Sequence, residues 1–225
     1  MTMRCLAART ALATGLLLSA WAATAAAARP DPALAPYREL ARSPAAGRLL
    51  AVARAALERH WSGAALDTVH VPDWPGAPTA LYLSMVRGGV TRACVGHPAP
   101  PRSTLAECVR ALAEAALASD PRHPPLRRDE LATLRIVLAF AGAGELVADP
   151  MSVDPGSEGL LVGGARGHIA FLPGEARTVA WALREARRVG VLDATQLAEF
   201  TRFPVVTITE PESHSPRGEA PDEDE

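Results

Sequence analysis

The stretch Leu81-Tyr82-Leu83-Ser84-Met85-Val86-Arg87-Gly88-Gly89-Val90-Thr91-Arg92-Ala93-Cys94-Val95-Gly96 decides the fold class. Leu81, Leu83 and Met85 alternate with Tyr82 and Ser84, the period of a strand with one face buried. Arg87-Gly88-Gly89 is a turn, and Val90 to Gly96 reads as the returning strand of a hairpin. Further along, Gly159 to Val162 and His168 to Leu172 flank Gly163-Gly164-Ala165-Arg166-Gly167 and form a second hairpin. That glycine-rich run lies inside a hairpin rather than between a strand and a helix, so it reads as a turn and not a phosphate loop. Leu134 to Phe140 and Val205 to Thr209 complete the strands.

Helical periodicity fills the gaps. Ser43 caps a helix over Gly47 to Trp61, with Pro44 in its first turn and Gly63 at its stop. Its apolar stripe is Leu49, Val52, Ala53, Ala56, Leu57 and Trp61. Thr104 and Glu107 form a capping box that opens a second helix, with Leu105, Cys108, Val109, Leu112 and Ala116 on its apolar face, ending near Asp120-Pro121. Glu175 to Val189 is helical and stops at Gly190, and Asp193 caps a short helix running through Phe200. Asp149 to Glu158 is an irregular loop. Hairpins interspersed with helices predict an α+β fold with a largely antiparallel sheet flanked by helices.

Arg4 and Arg9 precede the apolar run Ala11 to Ala23, followed by Ala25 to Ala28. This is the pattern of a secretory signal cleaved after Ala27 or Ala28. The predicted organisation is a signal peptide at 1–28, a linker at 29–47, the folded domain at 48–211 and an acidic disordered tail at 212–225. The mature chain is expected outside the cytoplasm, periplasmic or extracellular, with no stable membrane anchor.

Composition excludes several chemistries. All 23 basic residues are Arg, so Schiff-base lysine chemistry and a Walker A loop are absent. A net charge of -2 carries no signature of nucleic-acid binding. No metal centre is predicted, because there is no Cys-x-x-Cys or His-Glu-x-x-His and the six histidines are scattered. No cofactor is assigned. Of the two thiols left after cleavage, Cys108 is either a packed helix residue or the partner of Cys94 in a disulfide.

At Thr91-Arg92-Ala93-Cys94-Val95-Gly96 the chain resembles the AMMECR family, which carries Leu-Arg-Gly-Cys-Ile-Gly at the equivalent hairpin. Asp120-Pro121-Arg122-His123-Pro124-Pro125-Leu126 is similar to the family's Asp-Pro-Arg-Phe-Pro-Pro-Leu, and Asp129-Glu130-Leu131, Asp154-Pro155-Gly156, Glu158-Gly159-Leu160 and Phe171-Leu172-Pro173 follow in order. The likeness runs from roughly Arg48 to Pro211. Three positions depart from it: Ala93 replaces the motif glycine, Gly174-Glu175 stands where the family has Gln-Val, and Arg188 replaces a lysine. The resemblance implies a two-lobed single domain with a cleft beside the cysteine motif. It also implies a pathway shared with Memo-like and radical-SAM proteins, from whose cytosolic members export would separate this chain.

The residues themselves nominate a site. Arg92 and Cys94 are two apart on a strand and so share a face, where the guanidinium would favour a thiolate. The helix N-terminus at Thr104 would act in the same sense. His97 is a candidate base, Asp120 its orienting partner, and Arg122 a clamp for a carboxylate or phosphate. Two functions follow. One is an accessory or binding protein for a small anionic ligand or a protein partner, held by Arg92 and Arg122. The other is a cysteine enzyme with Cys94 as nucleophile or redox centre, assisted by His97 and Asp120. A plainer alternative makes Cys94 a buried structural thiol, Arg92 the partner of Asp120 and His97 a solvated loop residue.

Overall fold

A computed structural model describes residues 31–63, 70–97, 104–118, 120–193 and 198–211. The signal segment, the Pro-rich stretch after His97 and the acidic tail lie outside the described residues.

Three helices open the chain's order: α1 (Ala35–Arg42), α2 (Pro44–Ser62) and, after a hairpin, α3 (Leu105–Ala116). The caps act as the sequence predicts. Ser43 accepts a hydrogen bond from the Ala45 amide, and Gly63 ends α2 in the left-handed region at φ 65°. Thr104 and Glu107 close both halves of their capping box.

The hairpin of β1 (Ala80–Arg87) and β2 (Val90–His97) forms as expected, antiparallel. With β3 (Arg135–Ala141) and β8 (Val205–Thr209) it builds one four-stranded sheet in the order β2-β1-β3-β8. A second four-stranded sheet has the order β4-β7-β5-β6, from β4 (Glu145–Leu146), β5 (Gly159–Gly164), β6 (Gly167–Phe171) and β7 (Glu199–Phe203). Every pairing is antiparallel. The last helix, α4 (Val179–Arg188), packs on the second sheet.

Period two along β1 divides the interior. Leu81, Leu83 and Met85 face the helices and join Leu105, Val109 and Leu112 of α3 in the larger core. Tyr82 faces the other way, where Phe203, Leu161, Ala170 and Leu172 of the second lobe meet it. Val162, Ile169 and Phe171 form the second lobe's own core with Val179, Ala182 and Ala186 of α4. The result is one α+β domain of two lobes, each built on a sheet.

Two sequence-based assignments are corrected. The stretch 29–47 is no linker over its described part: Leu34 and Tyr37 are fully buried, and residues 32–42 are helical. Its Pro and Ala content reads as extended, but Pro32 and Pro36 sit at helix starts, where a missing N–H costs nothing. The short helix expected from Asp193 through Phe200 is corrected at its end, where Glu199 and Phe200 belong to the strand β7, paired with both β4 and β5; residues 194–197 lie outside the described residues.

Candidate functional site

The cysteine hairpin and the turn after α3 meet at the border of the two lobes. The Cys94 amide donates to Asp120 Oδ2 at 2.7 Å. Asp120 in turn accepts from the Arg122 amide and Nε, at 2.9 and 3.0 Å, and from Nη2 at 2.9 Å. Arg122 Nη1 reaches across to Glu175, whose other oxygen accepts from the Leu172 amide at 3.0 Å. The guanidinium also lies 5.8 Å from the centre of the Phe171 ring. One buried cation therefore binds two buried carboxylates, one from each lobe. Arg188 on α4 adds a bond to the Arg122 carbonyl at 3.1 Å.

The electrostatics follow from this packing. Burial alone would raise the Asp120 pKa, but its bonds from Arg122 and the Cys94 amide outweigh that and hold it below the usual carboxylate range. Glu175 moves the other way: its burial prevails over Arg122 and the Leu172 amide, and its pKa is raised. Burial likewise pushes the Cys94 thiol up to about 12, helped by the Glu175 charge and only partly opposed by Arg122.

Beside this cluster a cleft of about 740 Å³ opens between the lobes. Tyr82, Cys94, Gly96 and His97 line it from the first sheet, Leu112 and Ala115 from α3, Asp120 and Arg122 from the turn, and His168 and Ala170 from β6. Its volume falls within the usual range of small-molecule sites. No group of three or more metal-binding side chains occurs among the described residues.

Four of the five nominated residues, Cys94, His97, Asp120 and Arg122, line this cleft; Arg92 does not. The reason is local. Met85 pairs with Ala93 and Val86 with Thr91, so Arg92 is the extra residue of a β-bulge. A bulge breaks the two-residue alternation and re-aims the side chain. Arg92 instead forks onto Glu130, at 2.8 and 2.9 Å, and onto the Pro124 and Pro125 carbonyls. It neither activates Cys94 nor pairs with Asp120.

Other expected roles change too. Asp120 holds Cys94 and Arg122 rather than His97. The α3 N-terminus lies away from the thiol, because that helix meets the cleft at Ala111, Leu112 and Ala115. Neither Cys94 nor Cys108 is in a disulfide. They project from opposite sides of the first sheet, Cys108 into the helix core and Cys94 toward the second lobe, so no bridge joins them.

Sequence reasoning missed Glu175 and Glu130. Both are acids within short segments that close a turn. Glu175 accepts from Leu172 three residues back, and Glu130 accepts from the Arg127 amide. The available signal was an acid next to a Pro-Gly turn or at a capping position, while the arginines they pair with, Arg122 and Arg92, lie far off in the chain.

The AMMECR1 family model matches residues 50–205. Protein Mbar_A1807 of Methanosarcina barkeri is 29% identical over 92 residues, covering 39% of this chain and 45% of that one. The chain thus matches less than half the length of that relative. A protein of Methanothermobacter thermautotrophicus is 29% identical over 147 residues, 61% of this chain and 75% of its own. Among solved structures, the uncharacterized protein PH0010 of Pyrococcus horikoshii superposes with a TM-score of 0.54 at 20% identity, covering 73% of this chain and 90% of that one. That likeness is one of fold.

Proposed function

This chain belongs to the AMMECR1 family, and from that premise we propose that it is a binding or accessory domain whose interlobe cleft holds a small molecule. The observation that carries this reading is a cleft of ligand size with a closed ion-pair cluster on its floor, beside a thiol whose pKa burial pushes up. A cysteine nucleophile needs a thiolate, which a nearby cation or helix N-terminus ordinarily stabilises. Here burial and Glu175 oppose the thiolate, and the one guanidinium nearby is shared between two carboxylates. The small anionic ligand expected from Arg92 and Arg122 is disfavoured for the same reason, since both arginines are spent inside the protein.

Alkylation of the native protein with iodoacetamide, followed site by site by mass spectrometry across pH, tests this reading. Cys94 should react slowly at neutral pH and accelerate only under strongly alkaline conditions. An apparent pKa below about 8.5, the value of a free thiol, would revive the cysteine enzyme. We also propose that the domain acts outside the cytoplasm, on the strength of Arg4, Arg9 and the apolar, Ala-rich run that follows. N-terminal sequencing should find a mature start near Ala28 or Arg29; recovery of residues 1–20 on soluble cytosolic protein would reject export.

A further inference from the structure

The face that β1 turns toward the second lobe carries a hydroxyl that the fold leaves unanswered. Tyr82 is 7% exposed and lines the cleft. Its ring is fixed on two sides. It stacks on Phe203 with centroids 6.0 Å apart and 12° between planes, and it lies over Gly96, where a Cβ would come within 2.0 Å of it. Its hydroxyl makes no hydrogen bond to a described residue and is open to the cleft rather than sealed in the core. Two positions along the same strand face, the buried Ser84 hydroxyl stands opposite Cys94 and has the thiol as its neighbour. A tyrosine hydroxyl on a ring fixed by packing ordinarily finds a partner, and for Tyr82 the cleft is where one can enter.

The charged groups nearby narrow what could answer it. Arg122 is held by Asp120 and Glu175, so an anion entering the cleft meets the Asp120 carboxylate and a cation already paired twice. Each Asp120 oxygen already accepts more than one donor, leaving a cation no free carboxylate. Leu112, Leu161, Ile169, Ala170 and Val191 make most of the remaining wall apolar, which penalises a charged head of either sign. The side-chain donors that line the cleft beside Arg122 are the Tyr82 O–H, the Cys94 S–H and the ring N–H groups of His97 and His168, and of these Tyr82 is the one whose ring is fixed by packing on two sides.

We propose that Tyr82 is the recognition residue of the cleft, donating its hydroxyl hydrogen to an uncharged carbonyl or amide oxygen on an otherwise apolar ligand. This rests on the reading of the cleft as a binding site.

Three probes with one aromatic body and different heads test it: benzamide, benzoate and benzylamine. Each is titrated into the full chain, with the Gly96 and Ala170 amide resonances reporting occupancy of the cleft. Benzamide should bind about tenfold tighter than either charged probe. Tyr82→Phe keeps the ring on Phe203, so the unfolding midpoint should hold while benzamide weakens roughly three- to tenfold, the worth of one neutral hydrogen bond. A charged probe binding as tightly as benzamide would overturn the uncharged-head proposal while leaving the cleft a binding site. Equal benzamide affinity in Tyr82→Phe would remove Tyr82 from the role. No resonance shift with any probe would overturn the proposal and the cleft reading together.

Discussion

Arg122 is the residue on which the two lobes depend. Its guanidinium is nearly inaccessible and satisfies Asp120 from the first lobe and Glu175 from the second. Truncating it would leave two buried carboxylates without a cation. Arg122→Met should therefore cost about 3–5 kcal/mol in urea unfolding, as for other broken buried pairs. A loss under 1 kcal/mol would mean that water already reaches the cluster. The carboxylates also set the response to acid. Asp120 and Glu130 both have lowered pKa values in the fold, Glu130 chiefly through its bonds from Arg92, which outweigh its burial. The stability they contribute is present above their unfolded values, 3.8 and 4.5, and is lost as pH falls through the folded ones. Glu175, raised, works oppositely: its contribution is present at low pH and is lost as pH rises through its folded value. Glu130→Gln should thus lower stability at neutral pH and flatten the acid limb below about pH 4.5, read as unfolding midpoint against pH.

At the scale of elements, close backbone approaches decide the geometry. A Cβ on Gly164, at the end of β5, would stand 2.0 Å from the Val191 carbonyl oxygen. That atom is main chain, so no rotamer change relieves the clash. Gly164→Ala should cost about 1–3 kcal/mol by overpacking and separate the segment after α4 from the hairpin. An unchanged thermal midpoint would show that the segment moves freely. The bulge at Arg92 acts in the same way on β2, and it explains why strand alternation misplaced that arginine. Period two is a property of an unbroken ladder, and nothing in Thr91-Arg92-Ala93 announces the extra residue. The β7 error has a related cause. Phe200-Thr201-Arg202-Phe203 is too short for its spacing to separate helix from strand, and its pairing with β5, distant in the chain, decides between them.

For the molecule as a whole, the segment before α2 belongs to the fold. Leu34, Tyr37 and Leu40 are buried against the larger core, and Tyr37 lies 4.8 Å, centroid to centroid, from Phe140 on β3. A chain beginning at Ser43 should lose on the order of 5 kcal/mol relative to one beginning at Asp31, from three buried apolar side chains. Equal thermal midpoints for the two would restore the linker reading.

Local chemistry was enough for the sequence to determine the class of fold. Caps at Ser43 and Thr104, the Gly88-Gly89 turn and the alternation in β1 act over a few residues, and each is formed as read. The cleft beside the cysteine motif, where Cys94, His97, Asp120 and Arg122 meet, was implied by the family resemblance and not by local chemistry. Tertiary structure alone decided which charge meets which. Arg92 went to Glu130, Arg122 to Asp120 and Glu175, and Cys94 was left with a raised pKa among them. The physical reason is that an ion pair is set by distance and burial. Arg122 and Glu175 lie 53 positions apart in the chain and come together only when the two sheets pack.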